Sequence, residues 1–372
     1  MTAQKPKDLS ASVRQRLLNY AQKANVDFQV VLAQFGFERL LYRLSQSKHA
    51  GQFTVKGAMM FLVWAGMLVQ NNNFRTYKII NNTAPSLSFR WTRPHPLPRE
   101  RTEVRGHICQ HSPHPNPLPR EREYYFGHQW WAGEQYRPTI DLDLTALREH
   151  SGNELKTIFQ DIRSLAVEDD GLVFLSTPVR VESIRADAEY GGLRVTLEAR
   201  LGQSRIPLQV DIGFGDAITP KARIEEFPAL LDFPAPHLPM YPKETSIAEK
   251  YETMVRRGII NSRMKDYYDV WVLAKQFDYD GEILKNAIRA TFLRRKTVLP
   301  EEVPDGLSEG FAKDKTKQNQ WNAFVRRTRL KLPCKDINII VAELSIFLVP
   351  PSVAACQSKT FDKTWRKGGP WR

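Results

Sequence analysis

The run Tyr136-Arg-Pro-Thr-Ile-Asp-Leu-Asp-Leu144 constrains this chain more than any other. Its end alternates apolar and acidic residues, the period of a strand, in which successive side chains point to opposite faces. Asp141 and Asp143 then share one face, and Ile140, Leu142 and Leu144 are expected in the core. Two neighbouring carboxylates repel each other unless a cation neutralises them. Mg²⁺ suits such a pair, since it takes oxygen ligands and keeps substrate phosphates in its shell. The spacing points to metal-dependent phosphoryl or nucleotidyl transfer. A solvated surface strand is the competing explanation.

Two further segments strengthen the first reading. Ile206-Pro-Leu-Gln-Val-Asp-Ile-Gly-Phe214 reads as a strand with one inward-facing acid, Asp211, and Leu193 to Leu201 reads as its hairpin partner across a turn containing Gly202-Gln-Ser204. Asp211 beside Asp141 and Asp143 would supply the oxygen cluster that a metal clamp requires. Phe53-Thr-Val-Lys56-Gly57-Ala58 then leads into an apolar run of helical length. Gly57 lets a helix begin close to a ligand, and the free N–H groups of a helix N-terminus attract phosphate.

Gly57 and Asp141 lie 84 positions apart, far for one strand–helix–strand unit. Between them, residues 67–133 differ from the rest of the chain. Trp64-Ala65-Gly66 recurs as Trp131-Ala132-Gly133, and the block holds five of the eight histidines. Pro94-His-Pro-Leu-Pro-Arg-Glu-Arg101 is echoed by Pro113-His-Pro-Asn-Pro-Leu-Pro-Arg-Glu-Arg122. The block reads as an insertion derived from a repetitive element with a target duplication, and as a disordered excursion rather than core. Removing it leaves Gly57 and Asp141 17 positions apart, room for one helix, a turn and a strand. A genuine lid is the alternative.

Without the block, the chain resembles the AbiEii/AbiGii family of toxin nucleotidyltransferases of bacterial abortive-infection and toxin–antitoxin systems. The resemblance rests on Glu38-Arg-Leu-Leu-Tyr-Arg-Leu-Ser45, Phe53-Thr-Val-Lys-Gly-Ala-Met59, Arg137 to Leu144 and Val167-Glu-Asp-Asp-Gly-Leu172. It continues through Pro207 to Asp216, Ala248-Glu-Lys-Tyr251, Asn261-Ser-Arg-Met-Lys-Asp-Tyr-Tyr-Asp269 and Gly368 to Arg372. It implies an α+β fold: a nucleotidyltransferase-like mixed-sheet core with N-terminal helices and a mainly helical C-terminal part. It implies nucleotide transfer from an NTP, with tRNA 3′ ends as an acceptor for some relatives, and a cognate antitoxin. Gly57 is followed by Ala58 where the wider superfamily often has Ser or Gly, so no hydroxyl stands beside the phosphates.

The resemblance also gives Lys250 a role on the triphosphate and places Asp266 in the active site, with Asp269 second. The residues permit this. Thr245 to Met254 reads as a helix capped by Thr245 or Ser246, and Lys250 on it would otherwise pair with Glu249 or Glu252. Asp266 and Asp269, three apart on a helix, share a face that Lys265 does not. Asp269 could instead bond Arg263 or a helix end. The expected catalytic set is Asp141, Asp143, Asp211, Lys250 and Asp266. Lys56, Gly57 and Lys250 are expected to hold the NTP, and Asp141, Asp143 and Asp211 to hold Mg²⁺.

The net charge of +13, of which the block carries +5, suits a nucleic-acid partner without specifying sequence. Cys109, Cys334 and Cys356 have no metal spacing and suggest reduced thiols. The polar N-terminus and a longest apolar stretch of about a dozen residues, Ala58 to Val69, point to a cytoplasmic protein without membrane contact. The expected organisation is a core over 1–216 that includes helices at 7–50, a Pro-rich linker at 217–243 and a helical domain at 244–372. The competing functions are a pseudoenzyme inactivated by the block and a basic RNA- or DNA-binding protein without turnover.

Overall fold

The computed structural model describes residues 8–64, 139–184, 191–328 and 336–372. The 67–133 block, Cys109 and Cys334 lie outside the described residues. Two helices open the chain, α1 (Leu9–Ala24) and α2 (Phe28–Gln46), capped by the carboxylates of Asp8 and Asp27. Val13, Leu17, Leu32, Phe35 and Leu41 are among the apolar residues on their buried faces.

Among the described residues, eight strands form one mixed sheet: β1 (Phe53–Lys56), β2 (Leu142–Ala146), β3 (Leu172–Phe174), β4 (Arg180–Ile184), β5 (Gly192–Leu201), β6 (Ser204–Phe214), β7 (Arg223–Glu226) and β8 (His237–Met240). The order is β3-β5-β6-β2-β1-β8-β7, with β4 also on β5. Strands β2 and β6 run parallel, as do β1 and β8, and the remaining pairs are antiparallel. The Pro-rich segment expected as a linker therefore supplies two strands. Most of its prolines fall outside the two strands, and Pro239 alone lies within β8.

One face of the central strands is apolar. Val195, Leu197 and Ala199 of β5, Ile206, Leu208, Val210 and Ile212 of β6, and Leu142 and Leu144 of β2 are all buried. Helix α2 packs there at close range. A Cβ on Gly36 would come within 2.9 Å of the Leu208 side chain. Helix α3 (Gly152–Ser164) starts with a capping box between Ser151 and Glu154 and buries Leu155, Ile158, Phe159 and Ile162. Ile140 departs from expectation: it is 59% exposed, because β2 begins only at Leu142.

Two of the sequence motifs prove structural. Arg43 of α2 grips Asp170 through both guanidinium nitrogens, at 2.7 and 3.2 Å, so the Glu38–Ser45 and Val167–Leu172 runs are partners across the fold. Glu38 is wholly buried. It pairs with Arg39 at 2.7 Å and accepts the Leu230 backbone N–H at 2.7 Å.

The C-terminal half is helical, with α4 (Lys243–Arg257), α5 (Met264–Gln276), α6 (Gly281–Arg294), α7 (Glu309–Lys313), α8 (Lys315–Thr328) and α9 (Ile337–Cys356). Helix α4 starts after Pro242, two residues before the expected cap. The Thr245 hydroxyl instead bonds the Thr219 backbone, donating to its carbonyl at 2.8 Å and accepting from its N–H at 3.0 Å. Helix α9 is longer than the 58–69 stretch. It is the one helix among the described residues long and apolar enough to cross a membrane, and half of it is buried inside the protein.

Helix α9 also runs through Pro350 and Pro351. A proline withholds the N–H that would reach the carbonyl four residues earlier. For Pro351 that carbonyl belongs to Phe347, and the Trp371 indole N–H donates to it at 3.0 Å. Trp365 likewise donates to the Ala274 carbonyl near the end of α5, at 2.8 Å. The Trp-rich tail is thus a set of donors for helix carbonyls, held by a short pair of strands, β9 (Tyr279–Asp280) and β10 (Thr364–Trp365).

Two predictions follow from these buried groups. Burial drives the Glu38 carboxyl up from its ordinary 4.5 to about 7, against the pull of Arg39. The fold therefore favours protonated Glu38. Its contribution to stability is full below pH 4.5 and is lost as pH rises through about 7. Unfolding midpoints measured from pH 4.5 to 7.5 should show this decline in the native chain and a flatter profile in Glu38→Gln. Separately, Trp371→Phe keeps a ring on Phe347 but leaves its carbonyl unpaired. Denaturant titration should show a loss of roughly 1–3 kcal/mol.

Candidate active site

The other face of the sheet carries a row of charge. Register pairs Lys56 of β1 with Asp143 of β2, Asp143 with Asp211 of β6, and Asp211 with Arg194 of β5. Residues in register share a face, and neighbouring strands lie about 5 Å apart. The sequence cation–anion–anion–cation therefore crosses four adjacent strands. Asp211 alternates with the buried residues of β6, so it lies on this face and not inward as expected.

Strand β1 ends at Gly57, where the chain turns into a helical segment, 57–64. Gly57 has φ +77°, and a Cβ there would lie 2.0 Å from Asp143 Oδ2. Only glycine allows this approach, and it brings the start of the helical segment against the Asp143 carboxylate. Burial pushes the Asp143 carboxyl above its ordinary range, and the Asp211 charge adds to this, opposed by Lys56, Lys265 and Lys250. A divalent cation would favour the ionised form, and the donors here are carboxylate oxygens, the set that hard cations take. Asp143 and Asp211 fit such an ion chemically. Asp141 lies just before β2 and is exposed. Among the described residues, no three His, Cys, Asp or Glu side chains are gathered closely enough to hold a metal.

Each aspartate already has an organic cation. Arg194 holds Asp211 with a two-pronged contact, Nε to Oδ1 at 2.8 Å and an Nη to Oδ2 at 2.9 Å. Lys56 is anchored by Asp216 at 2.5 Å, and the Tyr241 hydroxyl, with one proton to share, lies 3.0 Å from an Asp216 oxygen and 3.2 Å from a Glu249 oxygen. Burial would discharge Lys56, but Glu249, Asp216 and Asp143 outweigh it and hold the ammonium charged. Burial likewise opposes ionisation of Asp216, and Lys56 overrides it. Arg295 continues the chain of charge to Glu249 and Glu252, at 3.5 and 2.8 Å.

Lys250 pairs with neither Glu249 nor Glu252. Its Nζ reaches Asp266 at 3.1 Å and Asp269 at 2.9 Å, both carboxylates being buried. Arg263 takes the other Asp266 oxygen at 2.5 Å. Burial alone would raise Asp266, but Lys250 and Arg263 hold it far below the carboxylate range. The structure therefore brings Lys56, Gly57, Asp143 and Asp211 together and sets Lys250 with Asp266 and Asp269. It leaves Asp141 at the rim.

Sequence reasoning missed Arg194, Asp216, Tyr241 and Glu249, and set Lys265 aside although its charge reaches Asp143 and Asp266. Arg194 was legible. The strands close with Leu201 opposite Ser204, and counting back from there places Arg194 opposite Asp211. Nothing local links Tyr241 or Glu249 to Lys56.

The family model for the nucleotidyl transferase AbiEii toxin of type IV toxin–antitoxin systems matches residues 129–343. This span holds Asp141, Asp143, Asp211, Lys250 and Asp266, and lies beyond Lys56 and Gly57. A crystal structure from H. pylori, assigned by inference as a nucleotidyltransferase, aligns at 13% identity with a TM-score of 0.33, over 62% of this chain and 83% of its own. The structure of JHP933 from Helicobacter pylori aligns at 14% identity with a TM-score of 0.33, over 60% of this chain and 78% of its own. Among curated proteins, no match is found.

The Gly57 contact is directly testable. Gly57→Ala would force a side chain into the Asp143 carboxylate at a backbone conformation that L residues avoid. Thermal and denaturant unfolding should show a loss of roughly 1–3 kcal/mol. Substituting Ala for the neighbouring Gly51, whose Cβ would meet nothing within 4 Å, should cost far less.

Proposed function

We propose, from the premise that this chain belongs to the AbiEii family of nucleotidyl transferase toxins of type IV toxin–antitoxin systems, that it moves a nucleotide from an NTP to an RNA 3′ end, with tRNA as the acceptor. Membership makes the chain a nucleotidyltransferase and implies a cognate antitoxin. The NTP, the RNA acceptor, magnesium, a cytoplasmic setting and a part in phage defence belong to our reading. The observation that carries it is the row Lys56–Asp143–Asp211–Arg194, with Gly57 pressed against Asp143.

Asp143 and Asp211 would hold Mg²⁺, with Asp141 at the rim completing the set. The ion would supply charge neutralisation for the triphosphate. The chain's own residues do the positioning. Gly57 brings the backbone N–H groups at the start of the helical segment beside the carboxylates, where the β- and γ-phosphates would lie. Lys56 stays charged through Asp216 and Glu249 and faces the same place. Lys250 offers a second cation, and Asp266 and Asp269 set its position until substrate arrives. The acceptor hydroxyl then attacks the α-phosphate. The P–O bond to the β-phosphate breaks, pyrophosphate leaves with the electron pair, and the hydroxyl proton passes to a carboxylate or to water. The catalytic gain comes from positioning and charge stabilisation.

The basic surface and the 67–133 block keep two other readings in view, RNA binding without turnover and loss of activity through the insertion. One assay separates the three: incorporation of labelled NTP into bulk tRNA. We expect labelling by the native chain. Asp143→Asn should lose it by roughly 100-fold or more while keeping its circular dichroism. Lys250→Ala should raise the KM for NTP by about ten-fold, a loss of roughly 1.4 kcal/mol, with RNA retention little changed. RNA retained without labelling would favour the binding protein, and labelling that appears only after excision of 67–133 would favour the inactivated enzyme.

A further inference from the structure

Arg194 occupies an unusual place. Its guanidinium grips both oxygens of Asp211, in the fork geometry that matches a carboxylate. Glu182 of β4 stands in register with it on the other side, and the charges of Asp141 and Glu182 also act on it. One monovalent cation therefore sits among three carboxylates, two of which belong to the proposed magnesium set. Lys56 serves Asp143 from the opposite flank. This arrangement makes the Asp143–Asp211 pair tolerable before any metal arrives. It also directs both Asp211 oxygens at Arg194. The Arg194 side chain is 39% exposed, so it can leave its partner at modest cost in buried charge.

We infer that Arg194 is a positioning residue that competes with the divalent cation for Asp211, holding the carboxylate aimed along the strand row until the metal displaces it. The inference rests on the magnesium reading given above. It makes cation entry an exchange. A guanidinium withdraws from Asp211 as the ion takes its place, and the freed guanidinium stays at the rim near Asp141 and Glu182. An Arg194 that acted only through space would also tighten cation binding when removed, but that gain would persist in the Asp211→Asn background, and a gain that persists there overturns the competition.

The test is Mn²⁺ binding to the full chain without nucleotide, read by the electron paramagnetic resonance signal of free Mn²⁺, with circular dichroism to confirm folding. Native protein should bind Mn²⁺ and Asp143→Asn should lose that binding. Arg194→Gln should bind more tightly by about five-fold, the competition that a partly exposed ion pair can exert. Arg194→Lys keeps a cation but loses the fork, so it should fall between the two. It is the deciding variant if Arg194→Gln does not fold. Adding Arg194→Gln to Asp211→Asn should bring no gain over Asp211→Asn alone, since the competition is for Asp211. Unchanged or weaker binding in folded Arg194→Gln or Arg194→Lys, beside a native chain that binds through Asp143, overturns the Arg194 inference alone. Absence of Mn²⁺ binding in the native chain, or binding indifferent to Asp143→Asn, overturns the magnesium reading and this inference with it.

Discussion

Two carboxylates side by side on parallel strands govern the architecture of the site. The β2–β6 register places Asp143 against Asp211 and leaves no sheet geometry in which they avoid each other. Like charges at this separation are costly in a partly buried setting. The fold answers with a cation on each outer strand, Lys56 on β1 and Arg194 on β5. Gly57 then closes the fourth side by bringing backbone in place of a side chain against Asp143. A site built this way has its carboxylate pair compensated by the chain's own cations.

The cations themselves need support, and this couples the two halves of the chain. Lys56 is anchored to Asp216, Asp216 to Tyr241, Tyr241 to Glu249 on α4, and Glu249 to Arg295 beyond α6. Buried ion pairs contribute little net stability, because desolvation offsets the attraction. Breaking one by removing a single partner is another matter, since an uncompensated charge remains buried. The network therefore acts more as a constraint than as a source of stability: the helical half must dock in one position for the charges on the sheet to be satisfied. Lys250 with Asp266 and Asp269 is a second such constraint, between α4 and α5.

Local rules made much of this readable. Alternation located β2, β5 and β6, but the turn expected at Gly202-Gln-Ser204 is one residue longer than the one that closes the hairpin at Leu201 opposite Ser204, and sequence reasoning missed the pairing of Arg194 with Asp211. Helical spacing put Asp266 and Asp269 on one face, and they share one lysine. The expectations that failed did so where local pattern and tertiary context diverge. Ile140 continues the strand period in sequence, but the strand starts after it, so it is exposed. The 217–243 stretch looks like a linker because prolines dominate it, yet the short runs between those prolines pair onto the sheet as β7 and β8. Thr245 looks like a cap, but α4 begins earlier and its hydroxyl holds a distant loop.

The sequence by itself determined the chemistry available to this protein: a carboxylate pair two residues apart, a third acid on a neighbouring strand, a glycine before a helix, and lysines and aspartates at helical spacing. These depend on periods of two and three to four residues, which the chain states directly. Only the tertiary structure decided which charges meet. Lys250 had two glutamates within its own helix and took two aspartates from the next one. Asp211 proved to face Arg194 and the site, not the core. Trp371 found the carbonyl that Pro351 leaves open. Such choices are made between groups far apart in sequence, by burial and by the need to pair every charge and polar atom that burial strips of water.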